Sequence, residues 1–412
     1  MSADGAADAA PGADSGPPHE PPDDGAVAGR AGRRIALAAV AAWVMAAVTA
    51  VAVIVVQGQG LPAVAGRASG AGHTGRHHHS ARPGLVRAML TITDVGNMNF
   101  GSSGTYPPGG PGALLAGVTR HLHSQLTLAT LQTTLGSGGT TKCAVSPPTV
   151  SCYAFQAPAS YAAAVRDAGF AAVNLAGGHA DDAGRLGLKQ TNAALVAAHL
   201  RYTGRPRQTT YMLRGGVRVA LLGFAPYHYA RNQLSVSDAA AAVRQAAARA
   251  QLVIVFMHAS GEGAGTRRDD PIAFAHAMVR AGADLVLGSG PHALRGMEWY
   301  HRRLIAYSMG NFVGYYSLGL SGPGAQGAIL RLRLRASGLF VGGLITPIRL
   351  VEPGMPLLDP ARAAIGLLNS LSRSQFGRSA VRITPAGRIL APPGSRSPVR
   401  EPRQAPRRPR RK

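Results

Sequence analysis

The segment PIAFAHAMVRAGADLVLGSGPH, residues 271–292, sets the strongest limit on the fold of this chain. It reads as an amphipathic helix stopped by Gly282, a short run of Leu and Val, and a polar loop bearing His292. The same unit recurs in SYAAAVRDAGFAAVNLAGGHADDAG, residues 160–184, and across SDAAAAVRQAAARA and QLVIVFMHASGEG, residues 237–263. A strand that is apolar on both faces must be covered on both sides. Helices alternating with such strands therefore predict an α/β sandwich built on parallel strands.

The rest of the pattern agrees. LVRAMLTITDVG reads as a strand ending at Asp94, QTNAALVAAHLRYTG as a helix running to Gly204, and TTYMLRGGVRVALLGFAPY as a hairpin about Gly215-Gly216. Asp238 stands where a helix N-cap is expected. After Phe312 the pattern turns to strands, in GAILRLRLRASGLFVGGLITPIRLV, and residues 356–390 read as one short helix and a final strand. One large domain is expected over residues 87–391.

Outside it the chain changes character. Residues 1–34 carry six carboxylates before Arg30 and no apolar periodicity, which predicts a disordered segment. Ile35–Val56 is an uncharged run of 22 residues, long enough for a bilayer core, and Arg30, Arg33 and Arg34 precede it. The positive-inside bias puts the N-terminus in the cytoplasm, a transmembrane anchor at 35–57, and the rest outside the cell membrane. A cleaved signal peptide ending near Ala63-Val64-Ala65 is the rival reading. Residues 58–86 read as a stalk, and residues 392–412 as an Arg/Pro-rich tail. The formal charge is +24, with three lysines against forty arginines. No zinc-finger, helix-turn-helix or RNA-binding pattern accompanies that charge, so no nucleic-acid partner is expected. Cys143 and Cys152 lie in a Ser/Thr/Pro-rich loop; an oxidising exterior lets them form a disulfide, the alternative being two free thiols.

Four predicted strands run into polar residues at the edge where α/β sheets open their sites: Asp94; His179 and Asp182; His258 and Glu262; and His292. Hydrolytic two-metal centres draw Asp, Asn and His ligands from several strand ends in this way. Each residue also has a plainer role, as a turn residue, a cap or a hydrogen-bonded core histidine.

At these residues the chain resembles the CapA-type poly-γ-glutamate capsule biosynthesis proteins. The stretches that carry the likeness are TITDVGNM, ATLQTTL, VNLAGGHADDAGRLGLKQT, VFMHASGEG and GADLVLGSGPHALRGMEWYHRRLIAYSMGNFVG. GTTKCAVSPPTVSCYAFQAPASYAAAV is similar to a two-cysteine form of that family. The resemblance implies a four-layer αββα sandwich of metallophosphoesterase-like fold. It also implies a divalent ion (Mn, Zn or Fe) held by Asp94, Gln132, His258 and His292, with His179 as general acid or base oriented by Asp182. Glu262, Ser289 and Asn311 would line the same cleft.

The chain departs from the family pattern at several of these positions. Thr93-Asp94 replaces Gly-Asp, Thr130-Leu131-Gln132 replaces Asn-Leu-Glu, Gly177 and Gly178 replace paired asparagines, and Ser289 replaces a histidine. Fewer anionic and imidazole ligands mean weaker metal affinity. The implied function is synthesis, release or anchoring of an anionic surface polymer such as poly-γ-glutamate, by a metal-dependent hydrolase or an acyl or phosphoryl transferase. Capsule-synthesis proteins of the membrane are its implied partners. The alternative is a non-catalytic scaffold or polymer-binding protein with a degenerate metal site.

Overall fold

The computed structural model describes residues 88–101, 104–144, 152–259 and 270–394. The chain divides into two units, Met1–His77 and His78–Lys412, and the first lies wholly outside the described residues. So do the expected anchor, stalk and most of the tail. Among the described residues no helix is long and apolar enough to cross a membrane.

In chain order, β1 (Met89–Asn99) leads through α1 (Gly110–Leu115) to β2 (Leu126–Leu131), and β3 (Thr134–Leu135) pairs with β4 (Gln156–Ala157). Next come α2 (Tyr161–Asp167), β5 (Ala172–Asn174), α3 (Gly184–Ala197) and β6 (Arg201–Thr203). The hairpin of β7 (Thr210–Arg214) and β8 (Val217–Ala225) precedes β9 (Arg231–Asn232), α4 (Val236–Ala247), β10 (Leu252–His258), α5 (Pro271–Ala281) and β11 (Leu285–Ser289). The remainder is β12 (Met297–Tyr300), β13 (Arg303–Ala306), β14 (Asn311–Gly314), β15 (Gln326–Arg335), β16 (Phe340–Val351), β17 (Met355–Leu358) and α6 (Ala363–Phe376).

Two mixed sheets result. The first has the order β17-β16-β15-β1-β2-β5-β6, with β14 added along β1; the second runs β12-β13-β11-β10-β8-β7, with β9 on β8. Strands β1, β2, β5 and β6 are parallel, as are β8, β10, β11 and β13. The alternation of side chains along each strand explains the layers. Leu90, Ile92, Leu126 and Leu128 meet Leu221, Ile254, Phe256 and Leu287 in a core between the sheets. The intervening Val253, Val255 and Met257 face outward against Ala242 and Val243 of α4 and Phe274 and Met278 of α5. On the far side, Leu131 and Val173 pack under Leu114 and Leu115 of α1, Val165 of α2 and Leu195 of α3. Helices, sheet, sheet, helices: the expected four-layer αββα order is present.

Several boundaries differ from the sequence reading. Strand β1 continues past Asp94 to Asn99, through a register shift at the bulge that follows Asp94. The expected helix at 190–204 ends at Ala197, and Arg201–Thr203 is the edge strand β6. Ser235, not Asp238, stands at the N-cap of α4; its Oγ hydrogen-bonds the Asp238 carboxylate at 2.7 Å inside the first turn. The C-terminal helix is 14 residues long, filling the sheet edge with Ala364, Ile365 and Leu368.

Candidate functional site

Strand parity brings the polar strand ends together. On β10, Ile254 and Phe256 enter the core between the sheets, so His258 two residues on points the same way. Ser289 follows Leu285 and Leu287 on β11, and Asn174 follows Ala172 on β5, in the same register. The carboxyl ends of parallel strands from both sheets therefore open into one cleft between them.

His179 sits in the loop after β5. Its Nδ1 is 2.7 Å from Asp182 Oδ2, and that carboxylate also accepts from the backbone N–H of Phe155 at 2.6 Å. Lys142 Nζ lies 2.7 Å from Asp182 Oδ1 and 3.4 Å from His179 Nδ1. The shorter contact decides the tautomer: Nδ1–H donates to the carboxylate, leaving Nε2 as the nitrogen that can exchange a proton. The Phe155 ring lies 4.5 Å from the imidazole, between centroids, and fixes its plane. A disulfide joins Cys143 to Cys152, tying Lys142 and Phe155 to one loop.

His292 faces His179, with 6.4 Å between ring centroids. Asn311 donates through Nδ2 to the carbonyls of His292 and Gly324, at 3.1 and 3.0 Å, so its Oδ1 is the acceptor for His292 Nδ1 at 2.7 Å. The loop that carries His292 is tight. Gly290 has φ of 111°, and a Cβ there would collide with His258 Cε1; His292 itself takes a φ of 49°. Gly288 serves a different need, since a Cβ on it would run into the Tyr307 carbonyl oxygen.

His258 is buried, with Nε2 3.3 Å from the Tyr227 hydroxyl; Gln233 accepts from its backbone N–H at 2.9 Å and donates to its carbonyl at 2.7 Å. Burial, and then the neighbouring His292 and His179, push its pKa down to about 4, so the ring is neutral at physiological pH. Burial pushes the Asp94 carboxyl up to about 7, against the opposing hydrogen bonds from the N–H groups of Gly96 and Val95. Gln132 Nε2 donates to Asn97 Oδ1 at 3.1 Å, and the Gly290 N–H approaches the same oxygen at 3.4 Å. Ser289 is buried at the end of β11.

Among the described residues, the buried atoms of this cleft without a hydrogen-bond partner include Gln132 Oε1, His258 Nδ1, Ser289 Oγ and Asn97 Nδ2. An open amide oxygen and an open neutral imidazole nitrogen are donors of the kind a divalent ion takes, and Gln132 and His258 offer one each. Even so, among the described residues no three His, Cys, Asp or Glu side chains group closely enough to form an ion site unaided. The substituted positions show why ligands are few. A Cβ on Gly177 would lie 2.8 Å from Gln132 Oε1, and one on Gly178 would lie 3.2 Å from the Tyr227 hydroxyl. Gln132 and Tyr227 thus occupy the room that side chains at 177 and 178 would need. Glu262 falls outside the described residues.

Asn97, Lys142, Phe155, Tyr227 and Gln233 are the site residues that the sequence reading missed. Lys142 had a signal, being one of three lysines in an arginine-dominated chain and adjacent to Cys143. The other four had none, because their roles come from contacts across the fold.

Residues 109–316 match the family described as bacterial capsule synthesis protein PGA_cap, about half of the chain. This protein belongs to that family. It is 35% identical over 170 residues to the capsule biosynthesis protein CapA of Bacillus anthracis, covering 36% of this chain and 41% of that one. To the PGA biosynthesis protein CapA of Bacillus subtilis (strain 168) it is 31% identical over 166 residues, covering 36% and 44%. The matched region thus spans less than half the length of either relative. Among solved structures, a 5′-nucleotidase precursor from Thermus thermophilus overlays with a TM-score of 0.38 at 14% identity, covering 69% of this chain and 59% of that one. A likeness at that score carries no weight for function.

Proposed function

We propose that this protein acts in the synthesis, release or anchoring of an anionic surface polymer such as poly-γ-glutamate. In this reading residues 35–57 anchor it in the cell membrane, its cleft is extracytoplasmic, and capsule-synthesis proteins of the membrane are its partners. The chemistry is hydrolysis or acyl transfer at a polymer amide. Membership of the capsule synthesis family supports the process. The observation that carries the chemistry is the buried Asp182–His179 pair at the mouth of the cleft.

His179 Nε2 takes a proton from the attacking water or amine and returns one to the leaving group. Asp182, itself held by Lys142 and the Phe155 N–H, keeps the imidazole oriented and offsets its charge when protonated. The neutral His258 and the His292–Asn311 pair face the reacting carbonyl. A divalent ion (Mn, Zn or Fe) bound by Asp94, Gln132, His258 and His292 would supply Lewis-acid polarisation to that carbonyl and acidify a water.

The test is polymer release by the full-length protein, with polymer size followed by chromatography. His179→Gln and Asp182→Asn are each expected to slow it by about 100-fold or more while leaving the fold intact. Normal turnover in both variants would sink the catalytic reading. The sparse ligand set favours a second reading, a non-catalytic polymer-binding scaffold. Metal content by mass spectrometry separates the two: about one Mn, Zn or Fe per chain at micromolar supply supports the metal-assisted enzyme, and none supports the scaffold.

A further inference from the structure

On the face of the first sheet turned away from the cleft lies a row of arginines. On β15 the side chains of Leu330, Leu332 and Leu334 enter the core between the sheets, so Arg331, Arg333 and Arg335 point to the opposite face. This end of that face is open. Arg333 and Leu344 are exposed, and a groove of about 660 Å³ runs between Arg331 and Arg333 on one side and Arg388 on the other. Its floor includes Thr91 and Gly342, and a Cβ added to Gly342 would meet nothing within 4 Å.

The charge of this groove is uncompensated. Among the described residues none of Arg331, Arg333, Arg335 and Arg388 is in an ion pair. Arg331 spends one guanidinium nitrogen on the His123 carbonyl, and its buried Nε has no partner. Positive potential is felt nearby: burial first, then Arg120 and Arg331, lower the pKa of His121. Alternate residues of a strand lie about 6.6 Å apart. A polymer with a carboxylate on every repeat can meet such a row with successive charges, whereas a single small anion would engage one arginine at a time.

We propose that this groove is a docking strip for a carboxylate-bearing polymer, distinct from the histidine cleft. The register β1 shares with β15 connects the two regions. Thr93 pairs with Arg331 and Asp94 with Leu330, so the arginine row begins one residue from the strand position of Asp94, on the other face of the sheet. A chain held along the strip is retained near the cleft after each bond is cut or made. The choice of polymer rests on the function proposed above.

The experiment is fluorescence anisotropy of labelled poly-γ-glutamate with the full chain, across a salt series. The variant with Arg331→Gln, Arg333→Gln and Arg388→Gln is expected to raise Kd about 10-fold or more at low salt. It should also flatten the dependence of log Kd on log salt by about two. Arg333→Gln alone, at an exposed position, is expected to raise Kd about two- to three-fold and keeps the test open if the triple variant misfolds. Unchanged polymer affinity in the arginine variants overturns the inference. So does an arginine effect seen only with phosphatidylglycerol/phosphatidylcholine vesicles, which would make the strip a membrane contact. If the unsubstituted chain binds no polymer at all, the proposed function falls as well; binding that ignores the arginines removes the strip alone.

Discussion

Two buried aspartates at opposite ends of the paired sheets make an instructive contrast. Asp284 lies at the entry to β11. It accepts from the Val253 N–H at 2.9 Å and faces the Arg303 guanidinium at 3.1 Å. Asp94 lies at the bulge within β1, with backbone N–H groups as its hydrogen-bond donors and no ion pair among the described residues. Burial raises both carboxyls, to about 6 for Asp284 and about 7 for Asp94, and Arg303 is the first of the groups opposing it at Asp284. At one end a buried charge is answered within the fold. At the other, Asp94 has no cation among the described residues, and Gln132, His258 and Ser289 each keep a buried atom without a partner, which is the condition a ligand relieves.

The largest expected effect tests the answered end. Arg303→Ala leaves Asp284 buried without its cation and is expected to cost about 3 kcal/mol by urea unfolding. Asp94→Asn is expected to change stability by less than about 1 kcal/mol or to increase it. Equal losses in the two variants would erase the contrast.

Next is the pH dependence. Both carboxyls have folded pKa values above the unfolded value of 3.8, so the native state binds more protons between that value and about 7. Their contribution to stability is therefore complete below the unfolded pKa and is lost as pH rises through about 6 and 7. His258 acts in the opposite sense: its pKa falls from 6.5 to about 4, so its contribution is present above 6.5 and lost as pH drops towards 4. Asp94→Asn should flatten the decline in stability up to about pH 7. An unaltered pH–stability curve would show that Asp94 is not desolvated.

The smallest effects come from two glycines. Gly290→Ala puts a methyl group against the His258 ring at a left-handed φ, and is expected to cost about 2 kcal/mol. Gly342→Ala, facing open space, is expected to stay within about 0.5 kcal/mol. Thermal unfolding of the pair compares a filled cleft with an open groove.

Much of the architecture was legible in the residues. The Val/Leu runs at 252–257 and 285–287 had to be covered on both faces, and Gly215-Gly216 had to be a turn, because local period and backbone freedom depend only on near neighbours. Asp94, His179, His258 and His292 could be picked out as polar strand ends for the same reason. What no local rule contains is which strands become neighbours. That choice brought His179 beside His292, set Gln132 into the room vacated at Gly177, gave Lys142 to Asp182, and left one aspartate with an arginine and the other without. The sequence alone determined periodicity, turns and the identity of the polar groups. Only the tertiary structure decided which of them found partners, because a partner lies close in space and, as for Arg331 and His123, can be 208 positions away along the chain.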